Sequence, residues 1–309
     1  MKNQKVRSSL LLFLTAFIWG VAFVAQSVGM DYVQPFTFNC SRSLLGGIFL
    51  IPCAFLLDRI SPERRKAREE LKALSPQEQK KRRNQLLAGG LACGVIMTVA
   101  SNLQQFGIAQ TTVGKAGFIT AMYIVLVPIF GLFLKKKCSG TVWIGVLFAV
   151  AGLYFLCMTD GFSIQTGDAL VFLCALAFTI HIMVIDHFTV LVDGVRMSCI
   201  QFLTCGVLSG ICMLLVEQPQ ITNILAAWQP ILYAGIMSCG VGYTLQIIGQ
   251  RGMNPTVASL IMSLESVVSV LAGAVLLGQM MSGREIMGCV LMFVAIVLAQ
   301  LPGRSKKGE

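Results

Sequence analysis

The chain repeats itself. Residues 13–42, which open on Phe13-Leu14-Thr15-Ala16 and end at Arg42, align without a gap on residues 172–201, which open on Phe172-Leu173-Cys174-Ala175 and end at Gln201. Leu103-Gln104-Gln105-Phe106-Gly107 returns as Leu245-Gln246-Ile247-Ile248-Gly249, and Ala116-Gly117-Phe118-Ile119 as Ala258-Ser259-Leu260-Ile261. Ser139-Gly140 recurs as Ser282-Gly283. The copies are offset by 159 residues before the basic segment 58–85 and by 142 or 143 after it, so that segment is an insertion in the first copy. The division falls near residue 160, giving a first repeat over 1–160 and a second over 161–309. Two tandem hydrophobic halves of this kind are the sequence sign of a membrane transporter built from internal repeats.

Composition places those halves in a bilayer. The chain is 56% hydrophobic and only 12% charged, where globular proteins carry roughly 25% charged residues. Its charges cluster and leave uncharged runs such as 86–114 and 218–250 almost unbroken. Such runs are long enough to cross about 30 Å of hydrocarbon at about 1.5 Å per residue. The net charge of +10 does not point to nucleic acid, because the basic residues lie in loops between apolar runs without aromatic interleaving. The 11 cysteines are scattered singly, mostly in apolar runs, with no CxxC pair or metal-ligand spacing, and read as small buried hydrophobes. Lys2 to Arg7 followed by an apolar run resembles a signal peptide. The run lacks an A-x-A site and its pattern returns internally at 172–185, so a retained first helix is expected.

The expected fold class is an all-α integral membrane protein of ten transmembrane helices, arranged as two inverted five-helix repeats around a central cavity. Spans fall near 8–28, 36–57, 86–108, 114–134, 141–159, 167–189, 196–216, 229–250, 255–277 and 283–301. The shortest divisions, 109–113 and 278–282, are supported by their recurrence in both halves. With both termini in the cytoplasm, 21 basic residues lie inside, including ten in 58–85 and the run Lys135–Lys137. Only Lys115 and Arg284 then fall outside, and Arg42 lies within a span, which satisfies the positive-inside rule. Five spans per half is an odd number, so the second half enters from the opposite face. In the basic segment, Ser61-Pro62-Glu63 and Ser75-Pro76-Gln77-Glu78 each read as a helix start. Ala67, Leu71 and Leu74 share a helical face. The segment is either a solvated, topology-setting loop or an amphipathic helix on anionic lipid.

This organisation resembles the drug/metabolite transporter superfamily, and within it the ten-span EamA family. The resemblance covers nearly the whole chain and rests on Trp19-Gly20, Arg42, Leu103-Gln104, Ala116-Gly117-Phe118-Ile119-Thr120 and Ala258-Ser259-Leu260-Ile261-Met262-Ser263-Leu264-Glu265. It implies transport of small organic solutes, commonly amino acids or related metabolites, often outward through the cytoplasmic (inner) membrane. Two positions depart from the family pattern: Ser266, where Pro often follows the Glu, and Gln279, where an acid often follows the ninth span.

Polar groups in hydrocarbon need a reason. Arg42 lies about six residues inside its span, roughly 9 Å deep at the helical rise; its planar fork suits a carboxylate or phosphate. The alternative is a structural partner, such as Glu265 or carbonyls at a helix end. Its repeat counterpart, Gln201, has the same place without the charge. Glu265 falls near the middle of span nine, opposite Tyr123 by the repeat; it is a proton acceptor or cation contact, or a neutral acid bonded to a neighbouring helix. Gln104 and Gln246 take matching ends of spans three and eight, with Asn102, Gln105 and Tyr243 nearby. Their amides suit a zwitterionic or polar solute, and interhelical bonding competes as their role. Trp19 lies far from the interfacial belts and reads as a cavity wall, a gate or packing. His181 has Asp186 and His187 five and six residues on, a spacing that makes no metal face, so it is a cavity group or a satisfied core residue. The pairs Gly90 with Gly94 and Gly145 with Ala149 permit close helix packing.

Walker, nucleophile-elbow, HExxH and GxGxxG patterns are all absent, so neither a catalytic role nor a cofactor or metal is expected. The expected partners are a small-molecule substrate and the lipid bilayer, with protons an open alternative for coupling and no nucleic acid. The competing readings are a membrane-embedded lipid-modifying enzyme and a multi-span receptor. Nothing in the sequence selects the substrate, the direction or the oligomeric state.

Overall fold

The computed structural model describes residues 2–110, 113–134, 140–157, 166–277 and 282–300. Ser139, Lys135–Lys137, Gln279 and the basic residues after 300 lie outside the described residues, as do parts of the two short divisions at 109–113 and 278–282. All secondary structure among the described residues is helical. In chain order the first half holds α1 (Lys2–Gly29), α2 (Pro35–Ile60), α3 (Pro62–Ala73), α4 (Pro76–Ile108), α5 (Val113–Thr120), α6 (Tyr123–Phe133) and α7 (Gly140–Cys157). The second half holds α8 (Thr166–Phe188), α9 (Gly194–Val216), α10 (Ile221–Ala226), α11 (Trp228–Leu232), a π-helical stretch Tyr233–Gly242, α12 (Tyr243–Gln250), α13 (Pro255–Met262), α14 (Glu265–Leu277) and α15 (Gly283–Gln300). Among the described residues, seven helical rods are long and apolar enough to cross a membrane. Three shorter apolar helices, Tyr123–Phe133, Gly140–Phe155 and Ile286–Leu298, accompany them. The outward side chains are apolar: Phe133, Leu215 and Val275 are each at least 80% exposed, as expected for a surface that meets lipid rather than water.

Local chemistry explains where the helices start. Pro35, Pro62, Pro76 and Pro255 each occupy the first turn, where the missing N–H has no intrahelical partner to lose. The Ser61 hydroxyl accepts from the Arg64 N–H at 3.4 Å. Ser75 and Glu78 form a reciprocal capping box. The basic segment is therefore helical, as its caps predict. Its second part is no separate element: α4 is one helix of 33 residues, about 50 Å long, so its first turns project beyond a bilayer core of about 30 Å. Gly252, at φ +72°, makes the turn between α12 and α13 in a backbone region that side chains with a Cβ avoid.

Three spans differ from their expected continuous form. The intervals 114–134 and 255–277 are each two half-helices, broken at Ala121-Met122 and at Ser263-Leu264. The breaks lie 142 residues apart, the same place in both copies. The rod Trp228–Gln250 contains ten π-helical residues, which include Gly235, Gly240 and Gly242. Neither feature disturbs hydrophobic periodicity, so neither is visible in the sequence pattern.

Close packing of small residues joins the rods, since lipid tails supply no hydrophobic drive between helices. At Gly90 and Gly94 a Cβ would fall 2.6 Å from Ile200 and 2.5 Å from Thr204, so α4 lies tight on α9. At Gly206 one would meet Leu44 at 2.6 Å, and α2 runs along α9. α7 pairs with α15, α4 with α8, and α1 with the π-helical stretch and α14.

The ends of the α2–α9 pair are closed by two buried acids at matched positions. Glu217, ending α9, accepts from the Phe36 N–H at 2.8 Å and the Thr37 N–H at 2.7 Å, and from the Thr37 hydroxyl at 2.6 Å. Asp58, 159 residues earlier and near the end of α2, accepts from the Arg196 guanidinium at 2.6 Å. Arg196 is itself the counterpart of Thr37. Arg64, from α3, bridges Asp58 at 3.0 Å and Asp193 at 2.9 Å.

Candidate functional site

A buried cavity lies where α1, α2, α4, the two helix breaks, α8 and the π-helical rod converge. α1 contributes Trp19, Phe23 and Gln26, which share one face at helical spacing. Gly20 brings that face in, because a Cβ there would meet Val268 at 2.6 Å and the Glu265 carbonyl at 2.7 Å. α2 contributes Arg42, α4 Gln104, and α8 Phe178 and Ile182. Ser238, Tyr243 and Gln246 come from the rod, whose Gly242 carbonyl accepts from the Thr15 hydroxyl at 3.2 Å. A π-helical stretch widens a helix and commonly marks a functional site.

Much of the wall is built in repeat-related pairs. Trp19 with Phe178 and Phe23 with Ile182 are 159 residues apart. Gln104 with Gln246, Thr120 with Met262 and Tyr123 with Glu265 are 142 apart. The last pair meets directly: Tyr123 and Glu265 each open the second half-helix of their broken rod, and the Tyr123 hydroxyl donates to Glu265 Oε1 at 2.9 Å.

The polar groups of the wall are incompletely used. Arg42 is 6% exposed. Among the described residues no carboxylate lies within ion-pair distance of it, and its Nε has no hydrogen-bond partner. Its guanidinium carbon lies 5.6 Å from the Phe38 ring centroid. Trp19 Nε1, Gln26 Oε1 and Gln246 Oε1 are likewise buried without partners. Gln104 makes one long bond, 3.4 Å, to the Thr120 hydroxyl. The site thus presents unpartnered donors at Arg42 and Trp19 and unpartnered acceptors at Gln26 and Gln246, with a carboxyl at Glu265. Such an uncompensated set is costly in a low-dielectric interior unless a ligand or water completes it. Its walls leave a space of about 30 Å³, room for only a few waters.

Arg42, Gln104, Gln246, Trp19, Tyr123, Tyr243 and Glu265, all singled out from sequence, come together on this cavity. Tyr243 packs on Trp19 in a tilted arrangement, with ring centroids 4.4 Å apart. His181 and Gln201 do not line it. They are fully buried and bond each other at 2.9 Å behind Tyr243, whose ring centroid is 6.1 Å from that of His181. Asn102 is also elsewhere: it accepts from Asn39 at 2.9 Å and donates to Ser209 at 3.0 Å, tying α4 to α2 and α9. Gln105 donates to the Gln26 carbonyl at 3.2 Å. Sequence reasoning missed Gln26, Phe178 and Ser238. Helical spacing from Trp19 could have found Gln26, and the 159-residue offset could have found Phe178; no sequence signal marks Ser238. Among the described residues no group of three His, Cys, Asp or Glu side chains is placed to hold a metal ion.

Comparison with known proteins agrees with the resemblance. The EamA-like transporter family matches twice, over residues 6–158 and 165–301. This chain belongs to that family. An uncharacterized transporter of Archaeoglobus fulgidus is 27% identical to this EamA-like chain over 305 residues, covering 96% of the chain and 87% of the relative. The uncharacterized inner membrane transporter YedA of Escherichia coli is 24% identical over 299 residues, covering 94% and 89% respectively. A chain solved by crystallography superposes with a TM-score of 0.75 over 96% of this chain and 97% of its own length. Its identity is 18%, and that likeness shows a shared fold alone. The EamA-like chain is therefore a multi-pass membrane transporter, and its family points away from an enzyme.

Proposed function

We propose that this EamA-like protein is a secondary transporter that moves small organic solutes, amino acids or related metabolites, outward across the cytoplasmic membrane by alternating access. Ten spans form two inverted five-helix repeats, 1–160 and 161–309, with both termini in the cytoplasm. The observation that carries this reading is the cavity wall: repeat-related residues meet on one site, with the unpaired Arg42 guanidinium among them. A site shared between two copies of a repeat is what rocking of the copies would expose first to one face and then to the other. The small free volume supports a closed form, from which helices must part to admit an organic solute.

Substrate class follows from the unpartnered atoms. Arg42 offers a fork to a carboxylate, and Trp19 adds a donor. Glu265, Gln26 and Gln246 offer acceptors to an ammonium group. A zwitterion would complete both sets. Breaking the Tyr123 bond to Glu265 would free that carboxyl for the substrate or for a proton, which makes Glu265 the coupling candidate.

The test is uptake into proteoliposomes of the purified chain, using a labelled amino-acid and metabolite panel with and without a pH gradient. Saturable flux that is lost in Arg42→Ala is expected. Accumulation driven by the gradient and lost in Glu265→Gln assigns proton coupling; gradient-driven flux that survives Glu265→Gln removes it from that role. Absence of flux across the panel, with folded protein, would overturn the substrate class proposed.

A further inference from the structure

A second cavity, sharing no lining residue with the first, opens at the end of the molecule that carries the basic segment. It measures about 690 Å³ and lies between the start of α1, the end of α2, α3, the α8–α9 connection and the end of α12. Five arginines line it: Arg7, Arg64, Arg68, Arg196 and Arg251. Its two acids, Asp58 and Asp193, are committed to Arg64 and Arg196. Arg7, Arg68 and Arg251 face the groove without a carboxylate partner among the described residues. The Thr189 hydroxyl, on a residue 2% exposed, also lines the groove and has no hydrogen-bond partner. Apolar side chains share the lining, among them Leu11, Leu57, Leu71 and Ile248.

A groove lined by both uncompensated guanidinium groups and apolar side chains matches an anion that carries hydrocarbon. We propose that this groove seats the phosphate headgroup of an anionic phospholipid. Arg68 and Arg251 grip its oxygens, the Thr189 hydroxyl donates to it, and the acyl chains lie against the apolar side chains of the lining. α3 is the outer wall: its Arg64 is tied to Asp58 and Asp193, and its neighbour Arg82 donates to the Leu191 carbonyl at 3.0 Å. The basic insertion thus completes a lipid site in one copy of the repeat that the other copy lacks. A free substrate anion passing through the same groove would use the same arginines but not the apolar side chains.

The test uses the purified full chain in neutral detergent, titrated with phosphatidylglycerol, phosphatidylcholine or soluble glycerol phosphate. Native mass spectrometry counts bound lipid and thermal unfolding reads its effect. Saturable binding of phosphatidylglycerol that raises the unfolding temperature is expected, weakened on the order of tenfold in Arg68→Ala with Arg251→Ala. Both side chains are exposed and outside the Asp58 ion pairs, so the lipid-free unfolding temperature should match the parent. If that variant does not fold, Arg68→Gln with Arg251→Gln carries the same expectation. Equal binding of phosphatidylcholine, or undiminished phosphatidylglycerol binding in a folded variant, would overturn the site. Equal stabilisation by glycerol phosphate alone would overturn the lipid in favour of a small free anion.

Discussion

Asp58 and Glu217 hold the same place in the two copies, yet they close their ends of the α2–α9 pair by different chemistry. Asp58 is held by guanidinium groups, one from α9 and one from the inserted α3. Glu217 is held by backbone N–H groups and a hydroxyl at the start of α2. The helix dipole and free amides of α2 do for one end what arginines do for the other. The cavity repeats the contrast: Arg42 stands unpaired on the wall, whereas its counterpart Gln201 lies off the wall with its amide oxygen bonded to His181. Duplication kept backbone geometry at these points and let polar chemistry diverge. An acid at a helix end needs a partner, and either kind of donor serves.

Removing the Arg42–Gln201 contrast should have the largest effect. Arg42→Gln makes the copies alike, and flux in proteoliposomes should fall on the order of 100-fold, the loss expected for charge-assisted hydrogen bonds. Arg42→Lys should recover part of it, since charge remains and the fork is lost. Flux within threefold of the parent would take Arg42 out of the pathway.

At the ends of the pair the effects are on stability. Asp58→Asn leaves the partly exposed Arg196 guanidinium without its acid, while Arg64 keeps Asp193, and should lower unfolding stability by about 2 kcal/mol, discounted for contact with water. Glu217→Gln keeps one acceptor for the α2 amides and should lower it by about 1 kcal/mol. Equal losses in a chemical-unfolding series would mean that the two closures differ in appearance only. The smallest effect sharpens the contrast. In about 1 M salt, where screening acts over about 3 Å, the gap between parent and Asp58→Asn should narrow by a few tenths of a kcal/mol. The Glu217→Gln gap should hold, because its partners are neutral.

How much of this was legible follows from what periodicity carries. Helix positions, the capped starts at Ser61 and Ser75, and the polar residues Arg42, Gln104, Gln246 and Glu265 stand out in an apolar sequence because each breaks a rule for hydrocarbon. The repeat also paired Gln104 with Gln246, and both line the cavity. The breaks at Ala121-Met122 and Ser263-Leu264 were not legible, because apolar half-helices read like apolar helices. Asn102 and His181 looked as promising as Gln104. Only the rotation of α4 and α8 sends them to Asn39 and Gln201 and not to the cavity.

The sequence by itself determined that this chain is helical, lives in a membrane and is built twice from one plan, because burial energy in lipid depends on which residues are apolar and on their spacing. The tertiary structure alone decided which of the rare polar groups meet. Spacing along a helix fixes a face, but which neighbour that face meets depends on rotation, breaks and close glycine contacts. Those put Tyr123 on Glu265, occupied Gln201 with His181 and left Arg42 open.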